Sequence, residues 1–73
     1  MEFRYVLRYM REREGLTQAQ LADRAKVRQS AICQYELGLK KPSAESHAKL
    51  AKALGVTMDD LMFGERNKKE DKQ

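Results

Sequence analysis

Five basic side chains, Arg24, Lys26, Arg28, Lys40 and Lys41, fall between positions 24 and 41 against one acid, Glu36. The 73-residue chain has a formal charge of +4, so this window alone carries the whole excess. Elsewhere the charges nearly cancel: Arg4, Arg8, Arg11 and Arg13 are interspersed with Glu2, Glu12 and Glu14. A local basic excess suits a polyanionic partner. Charge alone does not separate that partner from an ordinary solvated basic face. Reactive groups are scarce by comparison. One cysteine (Cys33) and one histidine (His47) supply no nucleophilic triad and no metal-ligand clusters, and no glycine-rich phosphate loop is present. The sequence therefore predicts neither an enzyme nor a metal or cofactor site.

The elements that must position this window are helical. The chain is long enough for one small hydrophobic core. No apolar run approaches the roughly 20 residues of a membrane span, and Met1 leads directly into charged residues without a signal peptide. A lone cysteine fits a reducing compartment, so a cytoplasmic protein is expected. Gly15, Gly38, Gly55 and Gly64 each follow a stretch of helical periodicity, as residues that end helices in the left-handed conformation do. Thr17 with Gln20 forms a capping box, and Ser43 and Thr57 are further N-caps. No segment alternates as a half-buried strand would. The expectation is an all-α fold of five helices, near 2–14, 18–25, 29–37, 44–54 and 58–63. The predicted core is Phe3, Val6, Leu7 and Met10, then Leu21, Ala22 and Ala25, then Ala31, Ile32 and Tyr35. The fourth helix adds Ala48, Leu50, Ala51 and Leu54, and the fifth carries Met58, Leu61, Met62 and Phe63. Residues 1–64 form the domain, and 65–73, without an apolar side chain, read as a disordered charged tail.

Only Lys26, Val27 and Arg28 connect the second and third helices. Two short helices joined so tightly cross steeply, with Val27 plugging the corner, and the second one projects where it fits a major groove. That is a helix-turn-helix.

The residues LTQAQLADRAKVRQSAICQYELGLKKPS (16–43) and KLAKALGVTMDDL (49–61) resemble the Cro/repressor-type, or XRE, helix-turn-helix family. The resemblance spans nearly the whole chain apart from its tail. It implies a lambda-repressor-like five-helix domain that binds operator half-sites in double-stranded DNA as a homodimer; a small transcriptional regulator, a repressor before an activator, is expected. By the same resemblance Arg28, Gln29, Ser30 and Gln34 meet base edges. A glutamine amide pairs a donor with an acceptor as adenine N6 and N7 require, while Arg28 suits either guanine or phosphate. Gln18, Lys40 and Lys41 correspond to phosphate contacts, and Lys26 adds charge beside them. Arg11 and Glu36 correspond to an ion pair that ties the third helix to the body.

The chain departs from the family's pattern in the turn. Lys26 stands where a glycine is usual and Arg28 where a capping Ser or Thr is usual, so strain and a lost cap are expected there. His47 replaces a leucine and is expected to be partly exposed over a thinner core. Cys33 lies on the outer side of the third helix, with no redox role expected. A dimer interface is expected on the fifth helix, around Met58, Leu61, Met62 and Phe63. No small-molecule ligand or membrane contact is implied. The competing reading is a helix-turn-helix that binds a protein, such as the antitoxin of a toxin–antitoxin pair.

Overall fold

The computed structural model describes residues 2–64. It contains α1 (Phe3–Arg13), α2 (Gln18–Ala25), α3 (Gln29–Leu37), α4 (Ala44–Leu54) and α5 (Met58–Phe63), with no strand among the described residues. The expected all-α architecture and its five helices are therefore present. The tail from Glu65 onward lies outside the described residues.

Local chemistry accounts for the helix starts. At α2 the Thr17 hydroxyl accepts from the Gln20 N–H (3.0 Å) while the Gln20 side chain accepts from the Thr17 N–H (2.8 Å). Thr57 and Asp60 close the same reciprocal box at α5, and Ser43 caps α4 through the Ser46 N–H. Each satisfies backbone donors that the first turn of a helix leaves without a partner.

The ends follow one pattern with one exception. After Gly38 (φ 77°) the Leu39 N–H reaches back to the Gln34 carbonyl at 2.9 Å, and after Gly55 (φ 73°) Val56 reaches Ala51 at 3.0 Å. This six-to-one bond needs a left-handed residue at its bend. Lys26 makes the same bend at φ 61°, ψ 44°, with Val27 bonded to the Ala22 carbonyl at 3.0 Å. It is the one non-glycine at positive φ among the described residues. A side chain in that region costs about 1–2 kcal/mol. The turn thus keeps its shape and accepts the strain.

Burial orders the five helices around one core. Val6, Leu7 and Met10 from α1 meet Leu21, Ile32, Leu50 and Leu61, one from each other helix, all fully buried. Each such side chain contributes about 1.5–3 kcal/mol of hydrophobic free energy. Val27 is half-buried against this cluster, as the corner plug it was expected to be. Helix α1 packs on α3 and α5, and α2 packs on α3 and α4. Helix α3 is thereby backed by α1 and α2.

Three expectations are corrected here. In α4 the inward residue is His47, only 6 % exposed, whereas Ala48 is exposed. The register of α4 puts His47 one turn before Leu50 and Ala51, and its ring meets Phe3 edge-on at 5.4 Å. Phe3 itself is half-buried at the edge of the core. In α5, Leu61 is a core residue and has no surface to offer a partner.

His47 makes stability depend on pH. Burial lowers the imidazole pKa below its ordinary value, against a backbone hydrogen bond with Met58 that raises it. The Nε2 atom is buried without a hydrogen-bond partner, which suits the neutral ring. Unfolded, His47 takes up its proton near pH 6.5; folded, it does so only at lower pH. The unfolded state binds more protons in that window, so stability is full above about pH 6.5 and falls as pH drops through it. Urea unfolding of the wild-type chain is expected to show that decline, and His47→Leu is expected to remove it.

Candidate nucleic-acid interface

Helix α3 presents two kinds of face. Ile32 and Tyr35 are buried and Ala31 is half-buried against the core. Gln29, Ser30 and Gln34 are exposed, as is Arg28 immediately before them. The four residues expected to meet base edges are thus all open to solvent, at and after the start of α3. Cys33 is half-buried rather than open. Leu37 is exposed, as is Leu39 beyond. Sequence reading placed Leu37 only as a helix end; its i+4 spacing from Cys33 was the available signal.

The first turn of α3 is under-capped. Arg28 is the N-cap residue and makes no side-chain capping bond. The helix's own ladder begins with the Ala31 and Ile32 N–H groups, both donating to the Arg28 carbonyl. First-turn N–H groups left open in this way form a positive end that attracts anions.

One ion pair fixes α3 on the body. The Arg11 guanidinium meets the Glu36 carboxylate with both arms, Nε to Oε2 at 2.6 Å and Nη2 to Oε1 at 3.0 Å. Its remaining arm donates to the Leu16 carbonyl at 2.8 Å. The two side chains are only 12 % and 5 % exposed. The bond to Glu36 raises the Arg11 pKa above its ordinary value while burial acts in the opposite direction. Gln18 completes the group by donating its Nε2 to Glu36 Oε1 at 3.1 Å. The resemblance had given Gln18 to phosphate alone. Its link to Glu36 was missed because the two lie 18 positions apart, on different helices.

The remaining cations differ from those of α1 in their pairing. Arg4, Arg8, Arg11 and Arg13 all have carboxylates within ion-pair distance. Arg24, Lys26, Arg28, Lys40 and Lys41 are exposed and have none among the described residues. Lys40 and Lys41 line a cleft of about 570 Å³ beside the end of α3. Lys26 lines another, of about 490 Å³, together with Arg24, Lys49 and Lys52. Four of the five cations without a carboxylate partner thus line two clefts, Lys40 and Lys41 in one and Arg24 and Lys26 in the other. No group of His, Cys, Asp and Glu among the described residues is arranged to hold a metal ion.

This geometry coincides with what sequence comparison finds. A family model described as Helix-turn-helix matches residues 7–61. The chain belongs to the Cro/repressor, or XRE-type, helix-turn-helix family. It is 40 % identical over 65 residues to the HTH-type transcriptional activator BcrR of Enterococcus faecalis, covering 89 % of this chain and 32 % of that protein. It is 33 % identical over 63 residues to the HTH-type regulator YqaE of Bacillus subtilis, covering 86 % and 54 % of the two chains. The chain therefore spans between a third and roughly a half of the length of these relatives. Among solved structures, the P22 c2 repressor in complex with a synthetic operator superposes with a TM-score of 0.82 at 29 % identity, over 89 % of this chain and 98 % of that one. The fold is accordingly the lambda-repressor-like one, and both relatives are named as HTH-type transcriptional regulators.

Glu36 is the member whose loss reaches all three helices. Glu36→Ala leaves the part-buried Arg11 charge with only the Glu12 carboxylate at 3.9 Å and is expected to cost about 3 kcal/mol in urea unfolding. The double variant Arg11→Met/Glu36→Leu is expected to recover most of that loss, because no unpaired charge remains buried.

Proposed function

We propose that the chain reads double-stranded DNA in a sequence-specific way as a small transcriptional regulator, acting as a repressor by occupying operator half-sites. The observation that carries this reading is the outward face of α3, polar and flanked by five cations that have no carboxylate partner among the described residues.

In this reading α3 enters the major groove. Gln29, Ser30 and Gln34 meet base edges, with Arg28 at guanine or phosphate. Gln18, Lys26, Lys40 and Lys41 grip the sugar–phosphate backbone and set register without specifying sequence. The Gln18 bond to Glu36 supports this role, since it holds the amide at the start of α2 with one N–H still free. The operator complex of the P22 c2 repressor supports the partner, and the regulator names of the relatives favour DNA over a protein partner. That partner supports a cytoplasmic location. No described helix is long and apolar enough to cross a membrane.

One helix reads few base pairs, so a homodimer is part of the proposal. On α5, Met58, Met62 and Phe63 are 40 %, 45 % and 43 % exposed, a short apolar strip that a second copy would cover. Half-sites would then lie about 34 Å apart.

Selection of duplexes from a random pool, followed by salt titration, tests the reading. A consensus with two half-sites is expected, and affinity is expected to fall steeply with salt as counterions are released. Gln29→Ala is expected to cost about 1–3 kcal/mol and relax preference at one base pair, whereas Lys41→Gln weakens all duplexes alike. No consensus together with salt-independent binding would overturn it.

Lys26 separates stability from binding. Lys26→Gly relieves the left-handed strain and is expected to gain about 1 kcal/mol, raising Tm by roughly 5 °C. The same change removes a phosphate-facing charge and is expected to weaken DNA binding. A loss of both would sink the idea that strain was accepted here for affinity.

A further inference from the structure

Arg4 sits in the first turn of α1, far in sequence from the recognition helix, yet its side chain packs against Gly38. A Cβ built on Gly38 would lie 2.7 Å from Arg4 Nη1 and 2.8 Å from its Cδ. Any side chain at Gly38 would therefore push the guanidinium out of its place. The guanidinium also stacks on Tyr5, with Cζ 4.7 Å from the ring centroid. It is thus held at the mouth of the same 570 Å³ cleft that Lys40 and Lys41 line. Three cations from two distant stretches of the chain line it together.

The pairing of Arg4 is incomplete. Glu2 also lines the cleft, and its carboxylate lies 2.9 Å from Arg4 Nε. The contact is off the N–H direction, so the buried Nε remains without a hydrogen bond. The Glu2 side chain is 68 % exposed, and an exposed pair of this kind is held weakly. Lys40 and Lys41 have no carboxylate partner among the described residues. The cleft therefore keeps a net positive charge and an orphaned donor, with one loosely held carboxylate at the arginine.

We propose that Arg4 is a phosphate ligand of the DNA interface, sharing a backbone phosphate with Lys40 and Lys41 in the cleft that Gly38 keeps open. The proposal rests on the DNA-binding reading above. Glu2 occupies the place of the phosphate in the free protein and gives way to it on binding. A planar guanidinium suits this role, because it presents two parallel N–H groups to an oxyanion.

The opposite charges of Arg4 and Glu2 give the test its sign. If the two form a structural pair, removing either one has the same effect. If Glu2 stands in for phosphate, the two variants move in opposite directions. The experiment measures salt dependence of binding to the selected duplex for wild type, Arg4→Gln, Arg4→Lys and Glu2→Gln. Glu45→Gln, which removes an exposed acid on α4, controls for general charge, and thermal unfolding verifies each fold.

Arg4→Gln is expected to flatten the log–log salt slope by about 1 and to weaken all duplexes alike. Arg4→Lys is expected to restore the slope, and Glu2→Gln to bind more tightly than Glu45→Gln does. An unchanged slope in Arg4→Gln, or a shift of the same sign in both cleft variants, overturns the proposal. A titration with inorganic phosphate at constant ionic strength, followed at the Gly38 amide by NMR, distinguishes the source of the anion. Saturation there with an unaltered DNA slope in Arg4→Gln would assign the cleft to free phosphate and overturn the DNA role. Absence of salt-dependent duplex binding in the wild type itself would instead overturn the function proposed above, before any variant is read.

Discussion

Arg11 and Glu36 meet in a two-armed ion pair almost closed to solvent, and three helices take their relative positions from it. Arg11 belongs to α1, Glu36 to the last turn of α3, and Gln18 to the start of α2. The third arm of Arg11 reaches the Leu16 carbonyl in the loop between α1 and α2. The hydrophobic burial of Ile32 and Tyr35 in the common core is strong but indifferent to small rotations of α3 about its axis. Directional bonds are not. The planar guanidinium fixes the carboxylate in angle as well as distance, and so fixes which residues of α3 face outward. A polar reading surface requires that discrimination, because a rotation of one residue would exchange Gln29 for a core position.

The same pair explains how charge is sorted over the surface. Within α1, arginines and glutamates are close enough in sequence to pair with one another, and Arg11 is largely withdrawn from the surface. The window from Arg24 to Lys41 contains one acid, and that acid is Glu36. Its commitment to Arg11 and Gln18 leaves the window's five cations with no internal partner. The electrostatic character of the interface is therefore a consequence of the structural pair. Had Glu36 pointed outward, it would have cancelled a neighbouring lysine and placed a carboxylate beside the proposed phosphate path.

What the sequence made legible follows from how local each feature is. Caps at Thr17, Ser43 and Thr57 and bends at Gly38 and Gly55 are decided within six residues, and helix limits agree with expectation to within a residue or two. The inward faces of α1, α2 and α3 were legible from apolar spacing. Helix α4 was legible at Leu50, Ala51 and Leu54 but not in its first turns, because alanines and a histidine stand where larger apolar residues would have marked the core. Periodicity then gave Ala48 and His47 nearly equal claims, and the larger ring took the buried place against Phe3. On α5, six residues offer four apolar side chains, and only packing against α1 and α4 selects Leu61 for the core. The contacts of Gln18 with Glu36 and of Arg4 with Gly38 join residues 18 or more positions apart. No local pattern announces such contacts.

The turn between α2 and α3 is where local preference and fold disagree. Lys26 occupies a left-handed bend that its neighbours Gly38 and Gly55 fill without strain, and Arg28 begins a helix that its side chain does not cap. Consistency across levels is what makes a sequence foldable, and isolated violations concentrate where a surface has another task. Both violations here exchange a residue that would favour the isolated domain for one that carries positive charge. Both also lie next to the open N–H groups at the start of α3. An anion placed there would satisfy the uncapped donors and neutralise the two cations. The defect in the free protein and the complementarity to a phosphate are thus one arrangement of the same turn.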